Sequence, residues 1–393
     1  MGKWLQRKLG DLGEIVGGGT PSTKNESYYG GNISWITPKD LSNYSKRYIE
    51  RGERNITESG YSNSSAKMLP KNSILFTSRA PIGYVAIASN EICTNQGFKS
   101  IIPNDKTDYL FLYYLLKHNK DKIESMGSGT TFKEISGSTM KNIEVYVPEN
   151  LEEQRNISLI LSSIDNKIEL NNQINDYLEQ IAQVMFIDFM TNHTGISTKL
   201  KTFCNFQEGY VNPSQNHPEY FDGKVKWLRA VDINESFIFN TSRTLTDTGF
   251  ESAGKSALLF KPDTIAISKS GTIGRLGIVA DYMCGNRAII NIVPHEAKLL
   301  HFVYLYLKSK QSEFEDLAVG SVQKNLYVPI LQDLDVSLPP MNEILDFCES
   351  VTSLFSQWKN NVIENQNLVT ARDTLLPKLM SGELSVENLQ DAK

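Results

Sequence analysis

From residue 151 the chain reads LEEQRNISLILSSIDNKIELNNQINDYLEQIAQVMF, with neither proline nor glycine. Ile157, Ile164, Leu178 and Met185 fall on a seven-residue spacing, with Leu161, Ile168 and Ala182 three or four positions away. That spacing predicts one long helix with a heptad seam, in which Asn171 and Asn175 are polar interruptions of the kind that fix register. A second such helix follows residue 341: Ile344, Val351 and Trp358 alternate with Cys348, Phe355, Val362, Val369 and Leu376, and Asn365 lies on the seam. Pro377 is expected to break it. Elsewhere the periodicity is short. Runs at 73–77, 84–88 and 143–147 are β-rich and bounded by Gly, Pro, Asn and Ser, and a helical stretch at 108–117 sits among them.

The order lobe, helix, lobe, helix reflects a duplication. Displaced by 191 positions, residues 69–152 align with 260–343 without a gap, and 18 positions are identical, among them Cys93, Phe111, Tyr113, Lys117, Gly129 and Pro148. Upstream the register drifts, yet Trp35 and Asp40 answer Trp227 and Asp232, while Arg54, Thr57 and Gly60 answer Arg243, Thr246 and Gly249. The expected fold class is α+β: two tandem mixed α/β domains, joined by two long helices in an antiparallel coiled coil, with a pseudo-two-fold internal repeat. The expected segments are a first lobe at 1–150, a helix at 151–190, a second lobe at 191–340 and a helix with tail at 341–393. The rival arrangement packs each helix onto its own lobe. A helix of roughly 35–38 residues is on the order of 55 Å long.

Length and composition then narrow the function. At 393 residues, 40% hydrophobic and 22% charged, the chain is globular. The net charge of −5 argues against a bulk electrostatic grip on nucleic acid, but the average misleads. The two helical segments carry −9 and the lobes +4. No apolar run approaches the 18–20 residues of a membrane span, the N-terminus lacks the apolar core of a signal peptide, and four dispersed cysteines suit a reduced compartment. Cytoplasmic localisation is the expectation.

Catalytic patterns are weak. Gly249 to Ser256 matches the phosphate-binding loop G-x-x-x-x-G-K-[ST], but polar residues 241–248 precede it and Pro262 follows closely. Nucleotide binding there is the alternative enzymatic reading, and a protein-binding scaffold is the other. His295, Glu296 and His301 have the wrong spacing for a zinc protease, the histidines form no cluster, and the cysteines read as core. No metal site and no catalytic residues are assigned.

Polar, glycine-punctuated loops carrying cations recur instead at matching places in both copies. Ser, Thr, Asn, Gln, Lys and Arg are the side chains that meet phosphates and base edges. In the first lobe the candidates are Thr20, Pro21 and Ser22, in a GGGTPS loop expected to be mobile or tightly turned, then Thr77, Ser78 and Arg79, Asn95 and Gln96, and Thr130, Thr131 and Lys133. In the second they are Arg229, then Ser268, Lys269 and Ser270, Arg275, Asn286 and Arg287, and Ser321, Gln323 and Lys324.

The stretches GGGTPSTKNESYYGGNISWITPKDL, NITESGYSNSSAKMLPKNSILFTSRAPIG and TNQGF, with EEQRNI opening the first helix and LLPKLMSGEL closing the second, make the chain resemble the specificity subunits of type I restriction–modification systems. The resemblance spans nearly the whole length; the second lobe departs from it by lacking GGTPS. It implies that each lobe reads half of a split, asymmetric double-stranded DNA target. The helices would set the unread gap and dock two methyltransferase subunits. S-adenosylmethionine would belong to those subunits, ATP and magnesium to restriction subunits, and no cofactor to this chain, which would be non-catalytic.

Overall fold

The computed structural model describes residues 3–42, 44–129, 133–321 and 323–386. It divides into two compact units: Met1–Leu170 with Asn365–Lys393, and Asn171–Glu364. The division cuts through both long helices, so each unit owns half of each.

The first unit is built on a five-stranded sheet of β1 (Gly13–Gly17), β2 (Tyr48–Ile49), β3 (Ile74–Ser78), β4 (Ile82–Ala88) and β5 (Lys99–Pro103), in the order β1-β5-β3-β4-β2. All neighbours are antiparallel except β4 and β2. The second unit repeats order and directions with β6 (Cys204–Glu208), β7 (Phe237–Ile238), β8 (Thr264–Ser268), β9 (Leu276–Val279) and β10 (Ile289–Pro294), arranged β6-β10-β8-β9-β7. β3 and β8 are buried along their whole length, which is why they read as apolar runs and not as alternating strands.

Helix α1 (Tyr109–His118) packs beside the first sheet, and the Asp108 side chain caps it by accepting from the Phe111 N–H at 2.8 Å. Its duplicate, α3 (Leu300–Ser309), packs on the second sheet. Helix α2 runs Leu151–Asn192 and α4 runs Met341–Met380. In the first unit Asp165 of α2 meets Arg372 of α4; Ile157 and Leu161 share a core with Leu379 and Met380. In the second, Asn175 meets Asn361 and Phe189 stacks on Phe347 at 4.7 Å. Rising numbers on α2 pair with falling numbers on α4, so the halves run antiparallel within each unit. They also pack against the sheet-and-helix body, so the two arrangements weighed from the sequence coexist.

Pro377 does not end α4, which continues to Met380. A proline inside a helix costs about 3 kcal/mol. Leu379 and Met380 are fully buried beyond it, and each such side chain contributes roughly 1.5–3 kcal/mol. Burial wins, and Gly382, at φ +74°, turns the chain beside Trp4.

Candidate nucleic-acid interface

Strand register gathers most of the recurring loops at one edge of each sheet. In the first unit Gly17 pairs with Lys99, Thr77 bridges Phe98 and Ser78 pairs with Ile82. The exits of β1 and β3 and the entries of β4 and β5 therefore lie side by side. Glu134 joins them, since Arg79 and Ser128 both bridge it. The second unit matches: Lys269 N–H donates to Ala288 and Leu326 N–H to Lys269, as Ser78 N–H donates to Gly97 and Ile135 N–H to Ser78.

A hydroxyl holds the turn after each central strand. Thr77 Oγ1 donates to the Pro81 carbonyl and accepts from the Tyr84 N–H, both at 2.8 Å. Ser268 does the same with the Thr272 carbonyl and the Arg275 N–H. Ser78 Oγ donates to Gly97 O. Thr77, Ser78 and Ser268 are wholly buried, so their hydroxyls position the edge and are not available to a ligand. Their recurrence reflects a structural staple, which corrects their place among the contact candidates. Asn95 and Asn286 are likewise turn-formers, accepting from Gly97 N–H and Ala288 N–H.

The GGGTPS loop is tightly turned and packed. A Cβ on Gly18 would lie 2.1 Å from Asn95 O, and one on Gly19 2.3 Å from Ala66 N. Only glycine permits that approach. The Trp35 indole N–H donates to Gly19 O at 3.0 Å and the Tyr29 hydroxyl to Pro21 O at 2.7 Å. Pro21 is thus a buried anchor, another correction to the contact set. In the second unit the Trp227 indole N–H donates to Val211 O at 2.7 Å, closing the equivalent loop without GGTPS.

What remains accessible differs between the units. In the first, Ser22, Gln96 and Lys133 are exposed, and Thr20, half-buried, donates to Gln96. Arg79 lies 3.7 Å from Glu134, which also meets Lys99 at 3.4 Å. In the second, Arg287, Ser321, Gln323 and Lys324 are exposed, while Ser270 and Arg275 are half-buried. Lys269 pairs with Glu208 at 2.7 Å. Arg229 donates to Ser242 Oγ at 2.6 Å and lies over Trp227; it joins the edge because Asn286 N–H donates to Leu228 O. Thr130 and Thr131 lie outside the described residues.

Each edge thus holds cations on carboxylates that an incoming phosphate could displace. Lys99, Glu134 and Glu208 escaped the sequence reading because only strand register brings them there. Burial alone would raise the Glu208 carboxyl, but Lys269 and the Tyr210 hydroxyl outweigh it and hold Glu208 below the usual glutamate range.

The phosphate-loop match is not a phosphate loop. Its first glycine lies inside the short helix Asp247–Glu251, capped by Thr246 Oγ1 accepting from Gly249 N–H. A Cβ on Gly249 would sit 2.2 Å from Tyr220 O, and Gly60 meets Tyr28 O in the same way at 2.3 Å. That glycine serves helix packing in both copies. The four cysteines are buried and unbridged, and burial pushes the Cys93, Cys204 and Cys284 thiols up to about 12. Among the described residues no helix is long and apolar enough to cross a membrane, and no three His, Cys, Asp or Glu side chains gather as metal ligands.

Residues 1–180 and 197–365 match the family model for the type I restriction modification DNA specificity domain. The chain is 33% identical over 411 residues to the type I restriction enzyme MjaIX specificity subunit of Methanocaldococcus jannaschii, covering 98% of this chain and 94% of that protein. It is 22% identical over 471 residues to the HindI specificity subunit of Haemophilus influenzae, covering 98% and 100%. The solved S subunit of a type I restriction–modification system from M. genitalium shares the fold, with a TM-score of 0.58 at 17% identity over 96% of both chains. A duplicated frame, twice matched by the same domain model, places the chain in the type I restriction–modification DNA specificity family.

Proposed function

We propose that each unit reads one half of a split duplex target through its sheet edge, that the helices set the unread gap, and that the chain itself performs no chemistry. One observation carries this reading. The same stapled edge is built twice, but the side chains it presents differ: Arg79 corresponds to Ser270, Glu134 to Asn325 and Lys99 to Ile290. A constant frame with changed readers is what two different half-sites require. S-adenosylmethionine, ATP and magnesium would be carried by methyltransferase and restriction subunits. The docking surface for the former is on the long helices, where Tyr177, Ile181 and Val184, at i, i+4 and i+7 of α2, are 64%, 48% and 65% exposed.

Selection from a randomised duplex pool, with the chain co-expressed with its methyltransferase, tests the reading. A split consensus is expected; no enrichment would favour a scaffold. Arg79→Ala is expected to cost about 1–3 kcal/mol and relax one position of one half-site. A loss equal across all sequences, with a lower salt slope, would reassign Arg79 to the phosphate backbone.

A further inference from the structure

The two units handle one lysine differently. Lys117, near the end of α1, and Lys308, near the end of α3, are equivalent residues of the repeat. Lys308 is neutralised twice, by Glu179 at 3.2 Å and Glu235 at 2.9 Å. Glu235 also accepts from Gln311 at 3.2 Å. The hydrogen bonds identify the counterparts of this group. Ile278 N–H donates to Ser236 O as Ile87 N–H donates to Arg47 O, so Lys46 stands where Glu235 stands. By the 191-residue offset, Lys120 stands where Gln311 stands.

The carboxylate that closes the second unit's site is therefore a cation in the first, and the neutral amide beside it is another. Lys46, Lys117 and Lys120 line a pocket of about 250 Å³ together with Leu41, Tyr44 and Tyr84. None of the three lysines makes an ion pair or hydrogen bond among the described residues; Lys117 has only the Tyr113 ring, 5.3 Å away. Burial, then Arg372, outweighs the nearby Asp165 and Asp373 carboxylates and holds the Lys117 ammonium below the usual lysine range. A mostly buried cation with no ion pair of its own is costly, and Glu235 shows what the frame accepts in that place.

We propose that this pocket binds a phosphate group from outside the chain. Three converging cations call for a multivalent oxyanion, where the second unit sets one cation between two carboxylates. The volume lies below the roughly 300–1,000 Å³ of sites that enclose a whole small molecule, so the pocket takes the phosphate and not an attached nucleoside. Two sources offer this chemistry, free phosphate and the DNA backbone. The pocket stands apart from the sheet-edge reading and does not depend on it.

The test uses the full chain with lysine side chains labelled at ¹³Cε, titrated with inorganic phosphate and with pyrophosphate at constant ionic strength against chloride. A saturable shift of the Lys117 and Lys46 signals is expected, with Lys308 unmoved. Lys46→Glu copies the second unit and is expected to abolish the response; Lys120→Gln, also at an exposed position, is expected to weaken it. If duplex DNA displaces the phosphate and Lys46→Glu lowers the salt slope of binding by about 1 for every sequence alike, the backbone is the source. If DNA leaves the response intact, the ligand is free phosphate. An unresponsive Lys117, or equal responses in the wild type and both variants, overturns the proposal.

Discussion

Where the sheet-packed helix meets the long helices, the two units bury tyrosines from adjacent positions of the repeat, since Tyr304 answers Tyr113 and Leu305 answers Tyr114, and pair them with different ions. In the first, the Tyr114 hydroxyl donates to Asp165 at 2.6 Å, and Arg372 of α4 completes the pair at 2.8 Å. In the second, Tyr304 donates to Glu179 at 2.8 Å, and Lys308 from the same short helix supplies the cation. Burial, then the adjoining carboxylate, pushes both phenols far above the usual tyrosine range, so both remain donors. Backbone geometry, glycine contacts and hydroxyl staples survived duplication. The ionic partners did not, because a charge pair needs only some counter-charge within reach, whereas a close backbone approach admits one residue type.

The comparison breaks most sharply at Asp165. Asp165→Ala leaves Arg372 only the exposed Asp373, at 2.8 Å, and leaves the buried Tyr114 hydroxyl without its acceptor, and is expected to cost about 3 kcal/mol, read as a lower urea midpoint. Glu179→Ala leaves Lys308 its second carboxylate, Glu235, and is expected to cost less, about 1–3 kcal/mol. Each cation keeps a more exposed second carboxylate, Asp373 or Glu235, so equal losses would show that the deeper burial of Asp165 contributes nothing. Next come the packing glycines. Gly60→Ala and Gly249→Ala each drive a Cβ into a backbone carbonyl and are expected to lose about 2–3 kcal/mol, the same in both units. A silent Gly249→Ala with intact nucleotide binding would revive the phosphate-loop reading.

Smaller effects follow at the edges. Thr77→Val and Ser268→Ala remove the acceptor for a buried N–H and are expected to cost about 1–2 kcal/mol each, with faster hydrogen exchange confined to 78–84 in one case and 269–275 in the other. The smallest concerns pH. Because the folded-state value of Glu208 is depressed, its stabilisation is fully present above the usual glutamate range and is lost as pH falls through that lower value. Lys269→Ala should flatten this acid-side decline in the second unit, by less than about 1 kcal/mol since the pair is partly solvated. An unchanged acid limb would locate the dependence elsewhere.

Much of this was legible in order along the chain. The run at 73–77 is β3 shifted by one residue, and the stretch at 108–117 is α1 with Asp108 as its cap. The buried Asn171 and Asn175 were visible as breaks in the seam. Asn361, which donates to Asn175 at 2.8 Å, was not, since nothing in its own neighbourhood names a partner 186 positions away. The sheet edge was half legible. Recurrence located Thr77 and Ser268 correctly but could not tell a staple from a contact, because both put small polar residues beside a turn. The exchange of Lys46 for Glu235 lay in the stretch where the repeat loses register, and backbone hydrogen bonds were needed to recover it.

The sequence by itself determined the duplication, the two long helices, the β-rich lobes and the uneven distribution of charge, because periodicity and caps are set by residues a few positions apart. Only the tertiary structure decided which polar residues hold the frame and which face outward, how the long helices divide between the units, and which lysine lacks a carboxylate. Those outcomes depend on distances of a few ångströms between residues far apart in the chain, and no local pattern encodes them.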